Sequence, residues 1–357
     1  MANDQAPAAL YRRYRPGRFD ALIGQEAPAA ALTGALTGGR VSHAYLFSGP
    51  RGTGKTSTAR ILAKALNCTS PDGIEPCGTC PSCEAIATGT SLDVVELDAA
   101  SNSGVDAVKN LIRSASLGAV GNRRVFIVDE VHMLTSQAAA ALLKSIEEPP
   151  AHVIWVLATT DAHKLLATIK SRTQHLEFRL VAPAVLDAHL RSVAADAGLE
   201  ATDTMIAAAV AKAGGSVRDA LSALDGIVAS GADTQAFSVE KLLVALESGE
   251  VPDVLKAVAE GTYAGVAARQ LAEELIAGLR ELFLVQMGAA HLVTTPEWPG
   301  RSDLAMRYGP KRTVAAMEAV GDAVIAMRDA WDSRVQLEVA LARCCFKAAP
   351  TKAAPAA

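Results

Sequence analysis

The chain has 357 residues, more than a single hydrophobic core normally serves, so two or three domains are expected. Half of it is hydrophobic but only 4% is aromatic, which disfavours a strand-dominated fold and points to a helix-rich one. A formal charge of −4, from 34 Lys and Arg against 38 Asp and Glu, lacks the basic excess of a chain that covers nucleic acid by itself. No apolar run approaches the ~18 residues that cross a bilayer, and Met1 to Pro7 carry no apolar leader core. A cytoplasmic protein without a membrane partner is expected.

In chain order, apolar runs at Ala44–Ser48, Asp93–Leu97, Val125–Val128 and Val153–Ala158 predict strands, with helical patterns between them. That alternation predicts a parallel α/β sheet covered on both faces. After Ala182-Pro183 apolar residues recur at helical spacing over Val185–Ala197, Asp203–Ala213 and Val217–Ala229, and a further helical set fills about Ser238 to Phe346. The turn cluster Thr295 to Gly300 interrupts this last set. The expected class is α/β plus all-α: residues 1–181 as the sheet domain, 182–233 as a small helical domain, and 234–347 as a second helical domain. The boundary between the two helical domains is expected near Ser230–Thr234. Residues 348–357 are only Ala, Pro, Thr and Lys and predict a disordered linker.

Gly49-Pro50-Arg51-Gly52-Thr53-Gly54-Lys55-Thr56 fits G-x-x-x-x-G-K-[ST] at every fixed position, after a predicted strand and before a helical run that opens at Ser57. In such a loop backbone N–H groups turn around phosphates, Lys55 reaches the β and γ oxygens, and the Thr56 hydroxyl ligates Mg²⁺. ATP with Mg²⁺ is therefore the expected cofactor pair. The strand at Val125 delivers Asp129 and Glu130 at its C-terminal end, where open α/β sheets bind ligands. Asp129 is expected to hold Mg²⁺ through water and Glu130 to orient or deprotonate the attacking water; a solvated pair of strand-end carboxylates is the alternative. Thr159 and Thr160 close the next strand, and Arg172 and Arg218 are isolated arginines with no role evident from spacing alone.

Four of the six cysteines lie in one stretch, as Cys68-x₈-Cys77-x₂-Cys80-x₂-Cys83, interleaved with turn-forming Pro, Gly and Asp. In a reducing compartment this predicts a metal site rather than disulfides. Two short x₂ spacings suit one tetrahedral structural Zn²⁺ with no open position. Iron–sulfur clusters use related spacings, but nothing else in the chain suggests electron transfer. Cys344 and Cys345 fall in an apolar helical pattern and are expected in a core or interface.

The order of these elements resembles the AAA+ ATPases, and specifically the tau/gamma-type subunits of bacterial sliding-clamp loaders. The likeness rests on Tyr14-Arg15-Pro16-Gly17-Arg18-Phe19, Ile23-Gly24-Gln25-Glu26, His43 to Gly49, Asp129 to Leu134, and Ala141 to Lys144 running to Glu147-Glu148-Pro149-Pro150. It extends over residues 10–347 and is weakest in the last hundred.

The resemblance implies that Arg15, Pro16, Ile23 and Gly24 lie beside the adenine. Thr160, or less favourably Thr159, is implied as sensor 1, Arg218 as sensor 2 on a helical lid, and Arg172 as an arginine finger serving a neighbouring subunit's ATP. The family often has Cys where Thr173 stands, which leaves the arginine in place. The resemblance also implies zinc at Cys68, Cys77, Cys80 and Cys83 in a module over 68–90, a collar at 234–347 with Trp331 to Glu338 in its final helix, and a five-subunit ring. The implied activity is ATP-driven loading of a sliding clamp onto primer–template DNA within the DNA polymerase III holoenzyme, a nucleotidyltransferase assembly. A longer C-terminal form would add polymerase and helicase as partners. Ser103 and Lys144 are candidates for DNA backbone contact.

Overall fold

A computed structural model describes residues 9–229, 239–263, 266–293, 298, 300–328 and 330–348. The chain divides into two compact units, Met1–Ser230 and Gly231–Ala357. The interdomain boundary expected at Ser230–Thr234 lies outside the described residues, as do Thr295–Glu297 and Pro299 of the turn cluster and the linker beyond Ala348.

The first unit is built on five parallel strands: β1 (Ala44–Ser48), β2 (Val94–Asp98), β3 (Arg124–Asp129), β4 (Val153–Thr159) and β5 (Gln174–Glu177), in the order β2-β3-β4-β1-β5. Its helices are α1 (Leu10–Arg13), α2 (Glu26–Thr37), α3 (Lys55–Asn67), α4 (Pro81–Thr88), α5 (Val105–Ala115), α6 (Ser136–Glu147), α7 (Ala167–Lys170), α8 (Pro183–Ala197), α9 (Asp203–Ala213) and α10 (Val217–Ala229).

The period of two along each strand explains the layering. Leu46, Phe126, Val128, Trp155 and Leu157 face a core shared with α5 and α6, whereas Tyr45, Phe47, Val125, Ile127, Ile154 and Val156 face a core shared with α2 and α3. Phe126 and Trp155 are register partners, and their rings stack at 4.8 Å between centroids.

The edge strand β5 was not foreseen from the sequence. Gln-His-Leu-Glu carries one apolar residue, Leu176, and its strand geometry comes from pairing with β1. Because all five strands are parallel, their C-terminal ends share one edge, and the loops there come together.

The helices α8, α9 and α10 bury Leu186, Leu190, Ile206, Ala209, Leu221 and Leu224 in a separate core, to which α1 adds Leu10. The N-terminal segment is tied to these helices by the Leu10 amide donating to Asp225 (3.2 Å) and the Tyr14 hydroxyl donating to Asp196 (2.6 Å).

The second unit holds α11 (Val239–Ser248), α12 (Val251–Tyr263), α13 (Ala268–Gln286), α14 (Arg301–Tyr308), α15 (Pro310–Ala326) and α16 (Ser333–Ala348) around one apolar core. Cys345 is buried in that core and Cys344 packs half-buried against it. The final helix begins at Ser333, so Trp331 stands before it, 88% exposed, rather than within it. Asp332 accepts the Arg334 amide at 2.8 Å at the helix start, which sets the boundary.

Candidate functional site

The shared strand edge opens onto a cavity of about 740 Å³, a size suited to a nucleotide-sized ligand. Five cationic side chains line it, Arg13, Arg15, Arg51, Lys55 and Arg218, against three carboxylates, Asp98, Asp129 and Glu130. The local charge thus has the opposite sign to that of the chain, as an anion site requires. Burial, then the neighbouring Arg60 and Arg218, push Arg15 below the ordinary guanidinium value, against the opposing pull of Glu96.

Between β1 and α3 the loop takes conformations that only glycine adopts freely. Gly49, Gly52 and Gly54 have φ of 143°, 74° and 99°. A Cβ at Gly49 would collide with the Phe178 carbonyl and one at Gly52 with the Ser216 hydroxyl, so the loop is packed tightly on both sides. Lys55, the first residue of α3, donates from Nζ to the carbonyls of Gly49 (2.7 Å) and Pro50 (2.8 Å). Burial lowers its pKa, while Glu130 and Asp129 favour the charged form. Thr53 also donates to the Pro50 carbonyl, at 2.8 Å, and Thr53 to Ser57 line the cavity.

At the end of β3 two consecutive carboxylates are sent to different partners. Asp129 Oδ2 accepts the Thr56 hydroxyl at 2.6 Å. Glu130 has φ 47° and ψ 44°, the one positive φ outside glycine among the described residues, a left-handed backbone that costs about 1–2 kcal/mol for a residue with a Cβ. Its amide donates to Asp129 Oδ1 (2.9 Å) and its carbonyl accepts from Met133 (2.8 Å), which holds the turn. Glu130 Oε2 accepts both the hydroxyl (2.8 Å) and the amide (3.0 Å) of Thr160. Thr159 instead pairs with His132 Nδ1 at 2.9 Å.

The remaining expected residues divide by position. Arg15, Pro16 and Ile23 line the cavity. Gly24 sits outside it against Val181, where a Cβ would come within 3.0 Å, and Gly49 and Pro50 contribute carbonyls behind Lys55 rather than cavity wall. Arg218, on α10, lines the cavity with its guanidinium 4.9 Å from the Tyr11 ring centre, and its amide donates to Gly52 O at 3.4 Å. Arg172 is absent from the cavity lining; its Nε pairs with Glu147 at 2.7 Å and its Nη1 donates to Thr168 O at 3.1 Å.

Sequence reasoning did not single out Asp98, His132 or His189. Asp98 was legible in principle, since it ends β2 in register with Asp129. His132 and His189 carry no pattern of their own and acquire neighbours only through the fold.

The four cysteines of the insertion converge. Their Sγ atoms all lie within 4.8 Å of one another, with Cys68–Cys77 at 3.5 Å and Cys68–Cys80 at 3.9 Å. Thiolates around one tetrahedral zinc with ~2.3 Å bonds stand about 3.8 Å apart, so the four sulfurs cluster as the ligands of that ion do. Each ligand step also receives an amide: Cys77 N donates to Cys68 Sγ (3.3 Å), Cys80 N to Cys77 Sγ (3.3 Å) and Cys83 N to Cys80 Sγ (3.5 Å). Such bonds stabilise thiolates, and those from Thr79 and Cys80 hold the Cys77 thiol below its usual range.

Residues 24–182 match the family described as DNA polymerase III, delta subunit. The chain is 40% identical to the DNA polymerase III subunit gamma/tau of Mycobacterium tuberculosis, covering 94% of this chain and 62% of that protein. It is 36% identical to the DNA polymerase III subunit tau of Escherichia coli K12, covering 79% of this chain and 46% of that protein. It thus spans less than two thirds of the length of these relatives. Among solved structures, the Thermotoga maritima RuvB Holliday junction branch migration motor is 20% identical with a TM-score of 0.46, covering 65% of this chain and 79% of that chain.

Lys55→Ala is expected to weaken nucleotide binding by about 100-fold, the equivalent of one lost charge-assisted contact of ~3 kcal/mol; calorimetric titration that gives unchanged affinity would sink the phosphate-loop assignment. Zinc is expected at one ion per chain, with the Cys77→Ser, Cys80→Ser double variant losing the metal and part of its thermal stability. Elemental analysis finding iron in its place, or no metal in freshly purified protein, would refute the site.

Proposed function

We propose that this chain, which belongs to the DNA polymerase III gamma/tau family, binds and hydrolyses ATP as a subunit of the bacterial sliding-clamp loader. The observation that carries the proposal is the convergence at one sheet edge of Lys55, the Thr56–Asp129 pair and the Glu130–Thr160 pair. A site that only held nucleotide would have no use for a second carboxylate beside the first.

In this proposal Lys55 exchanges its loop carbonyls for the β and γ oxygens of ATP. Thr56 and Asp129 would hold magnesium, which would supply positive charge to offset that of the phosphates. Glu130 accepts a proton from the attacking water as a bond forms to the γ phosphorus and the bond to ADP breaks. Thr160 acts as sensor 1, keeping the Glu130 carboxylate oriented, and Arg218 as sensor 2, carried by α10 against the phosphate loop. Arg172 acts on ATP in the neighbouring subunit, which agrees with its position outside its own cavity.

The domain proposal assigns residues 1–181 to nucleotide binding, 182–233 to a helical lid and 234–347 to a collar. Cys68, Cys77, Cys80 and Cys83 would hold a structural zinc within the module at 68–90, which supplies no chemistry to hydrolysis because all four positions are filled by protein. The proposed partners are the other loader subunits in a five-membered ring, the sliding clamp and primer–template DNA; a longer form would add polymerase and helicase. Lys144, exposed on α6, and Ser103, half-buried just before α5, are proposed contacts to the DNA backbone. A cytoplasmic location completes the proposal, consistent with the lack of any helix long and apolar enough to cross a membrane among the described residues.

Glu130→Gln is expected to keep ATP binding while lowering hydrolysis by at least about 100-fold, the usual scale of a lost general base; parent-rate turnover in the assembled loader would remove Glu130 from this role. Arg172→Ala is expected to bind ATP normally yet lose DNA- and clamp-stimulated hydrolysis by about 10³-fold or more. Mixing it with Glu130→Gln chains then restores part of the activity where an intact base meets an intact finger. Full stimulated activity from loaders carrying only Arg172→Ala would show an ordinary surface arginine.

A further inference from the structure

The segment joining Cys68 to Cys77 has a second attachment. Asp72 and Glu75 exchange backbone hydrogen bonds of 2.9 and 3.0 Å, which closes the segment into a tight turn. From that turn the Glu75 carboxylate reaches back to the N-terminal segment, where Oε2 accepts the Phe19 amide at 2.9 Å and Oε1 accepts the Asp20 amide at 3.2 Å. Arg18 approaches Asp72 at 3.7 Å, and Ile74 packs on the core that buries Phe19.

Residues on both sides of this clasp line the nucleotide cavity: Arg15, Pro16 and Gly17 before it, Ala21, Leu22 and Ile23 after it. The segment has no helix or strand ladder over 15–23 to hold its shape. One carboxylate, carried on a segment whose two ends are Cys68 and Cys77, therefore ties this wall of the cavity to the four-cysteine module.

We infer that Glu75 is a positioning residue through which the four-cysteine module braces this wall, so that metal occupancy and nucleotide affinity are coupled. The inference rests on the proposed nucleotide and metal sites. With the thiolates gathered on one ion, Cys68 and Cys77 are pinned and the Glu75 carboxylate stands ready for the two amides. When the ion is withdrawn, nothing ties Cys68 to Cys77 and the turn between them loosens. The 15–23 segment must then be ordered at the moment of binding, an entropic cost that weakens affinity. Coupling of binding free energies is reciprocal, so nucleotide must retain the metal by the same factor.

The test uses the full chain in its metal-loaded form, with ATP and magnesium as the titrant. Glu75→Ala is expected to keep its metal by elemental analysis and to bind ATP about tenfold more weakly, within the usual range of coupling between sites. Glu75→Gln keeps one carbonyl acceptor and is expected to fall between the two. In equilibrium competition with a chelator, ATP is expected to tighten zinc binding by about tenfold in the parent chain and not in Glu75→Ala, and chelation is expected to speed hydrogen exchange at the Phe19 and Asp20 amides of the parent.

Equal ATP affinity of the metal-loaded parent and Glu75→Ala, or an equilibrium zinc affinity of the parent that ignores ATP, overturns the coupling. The exchange and competition measurements on the parent need no variant, so a poorly folded Glu75→Ala does not shield the idea. Failure of the parent itself to bind ATP overturns the nucleotide assignment, and the brace falls with it.

Discussion

The hydrogen bond from Thr56 to Asp129 joins the two ends of the chemistry. Thr56 lies in the first turn of α3, behind the phosphate loop, and Asp129 closes β3, so this 2.6 Å contact fixes the helix against the sheet edge. Both oxygens are hard donors of the type magnesium takes. Everything else in the cavity is arranged around that pair. The glycine loop can curl only because α3 starts where it does, and Glu130 can leave in a new direction only because Asp129 stays behind. The left-handed turn at Glu130 is the local cost of that divergence. It converts adjacent carboxylates, which would otherwise point to opposite faces of a strand, into two groups serving one cavity with different hydrogen-bond partners.

The phosphate loop is also the place where the sheet and the α8–α10 helices meet within the first unit. Gly52 is so near Ser216 that no side chain fits, and the Arg218 amide approaches the Gly52 carbonyl. An anion bound by the loop would therefore be felt directly by the start of α10, whose guanidinium already lines the same cavity. The N-terminal segment belongs to this coupling as well. It is tied to the helices through Asp196 and Asp225, and to the cysteine module through Glu75. A short length of irregular chain is thus anchored at both ends by carboxylates, with the cavity between.

Much of the site was legible in the sequence because its residues lie in fixed local order. The phosphate loop needs glycines at set offsets, and the strand that leads to Asp129 and Glu130 carries an unbroken apolar run over Val125–Val128. The helices at 203–213 and 217–229 stand where apolar spacing predicts them. What was not legible depends on distant partners. β5 exists because β1 offers it a ladder, not because Gln-His-Leu-Glu favours a strand. His132 gains its neighbour Thr159 only when β3 and β4 are paired, and Glu75 looks like an ordinary loop acid until the fold sets it against residues 19 and 20. Thr160 could not be told from Thr159 by spacing. The strand pleat separates them, sending one hydroxyl to Glu130 and the other to His132.

In the proposed mechanism Arg172 is the residue that makes one chain's site depend on another chain. Its guanidinium is 40% exposed and paired with Glu147, the last residue of α6, which is itself 44% exposed. An ion pair so open to solvent is weakly held, typically by less than about 1 kcal/mol, so the arginine can exchange its carboxylate for a phosphate at little cost. The cavity of its own chain already has Lys55 and Arg218 and does not include it. Under the proposed mechanism, the cations that bind ground-state phosphates are thus supplied within one chain, and the cation that answers charge developing during transfer comes from the next. That division would let nucleotide bind before assembly and hold hydrolysis back until a neighbour is seated.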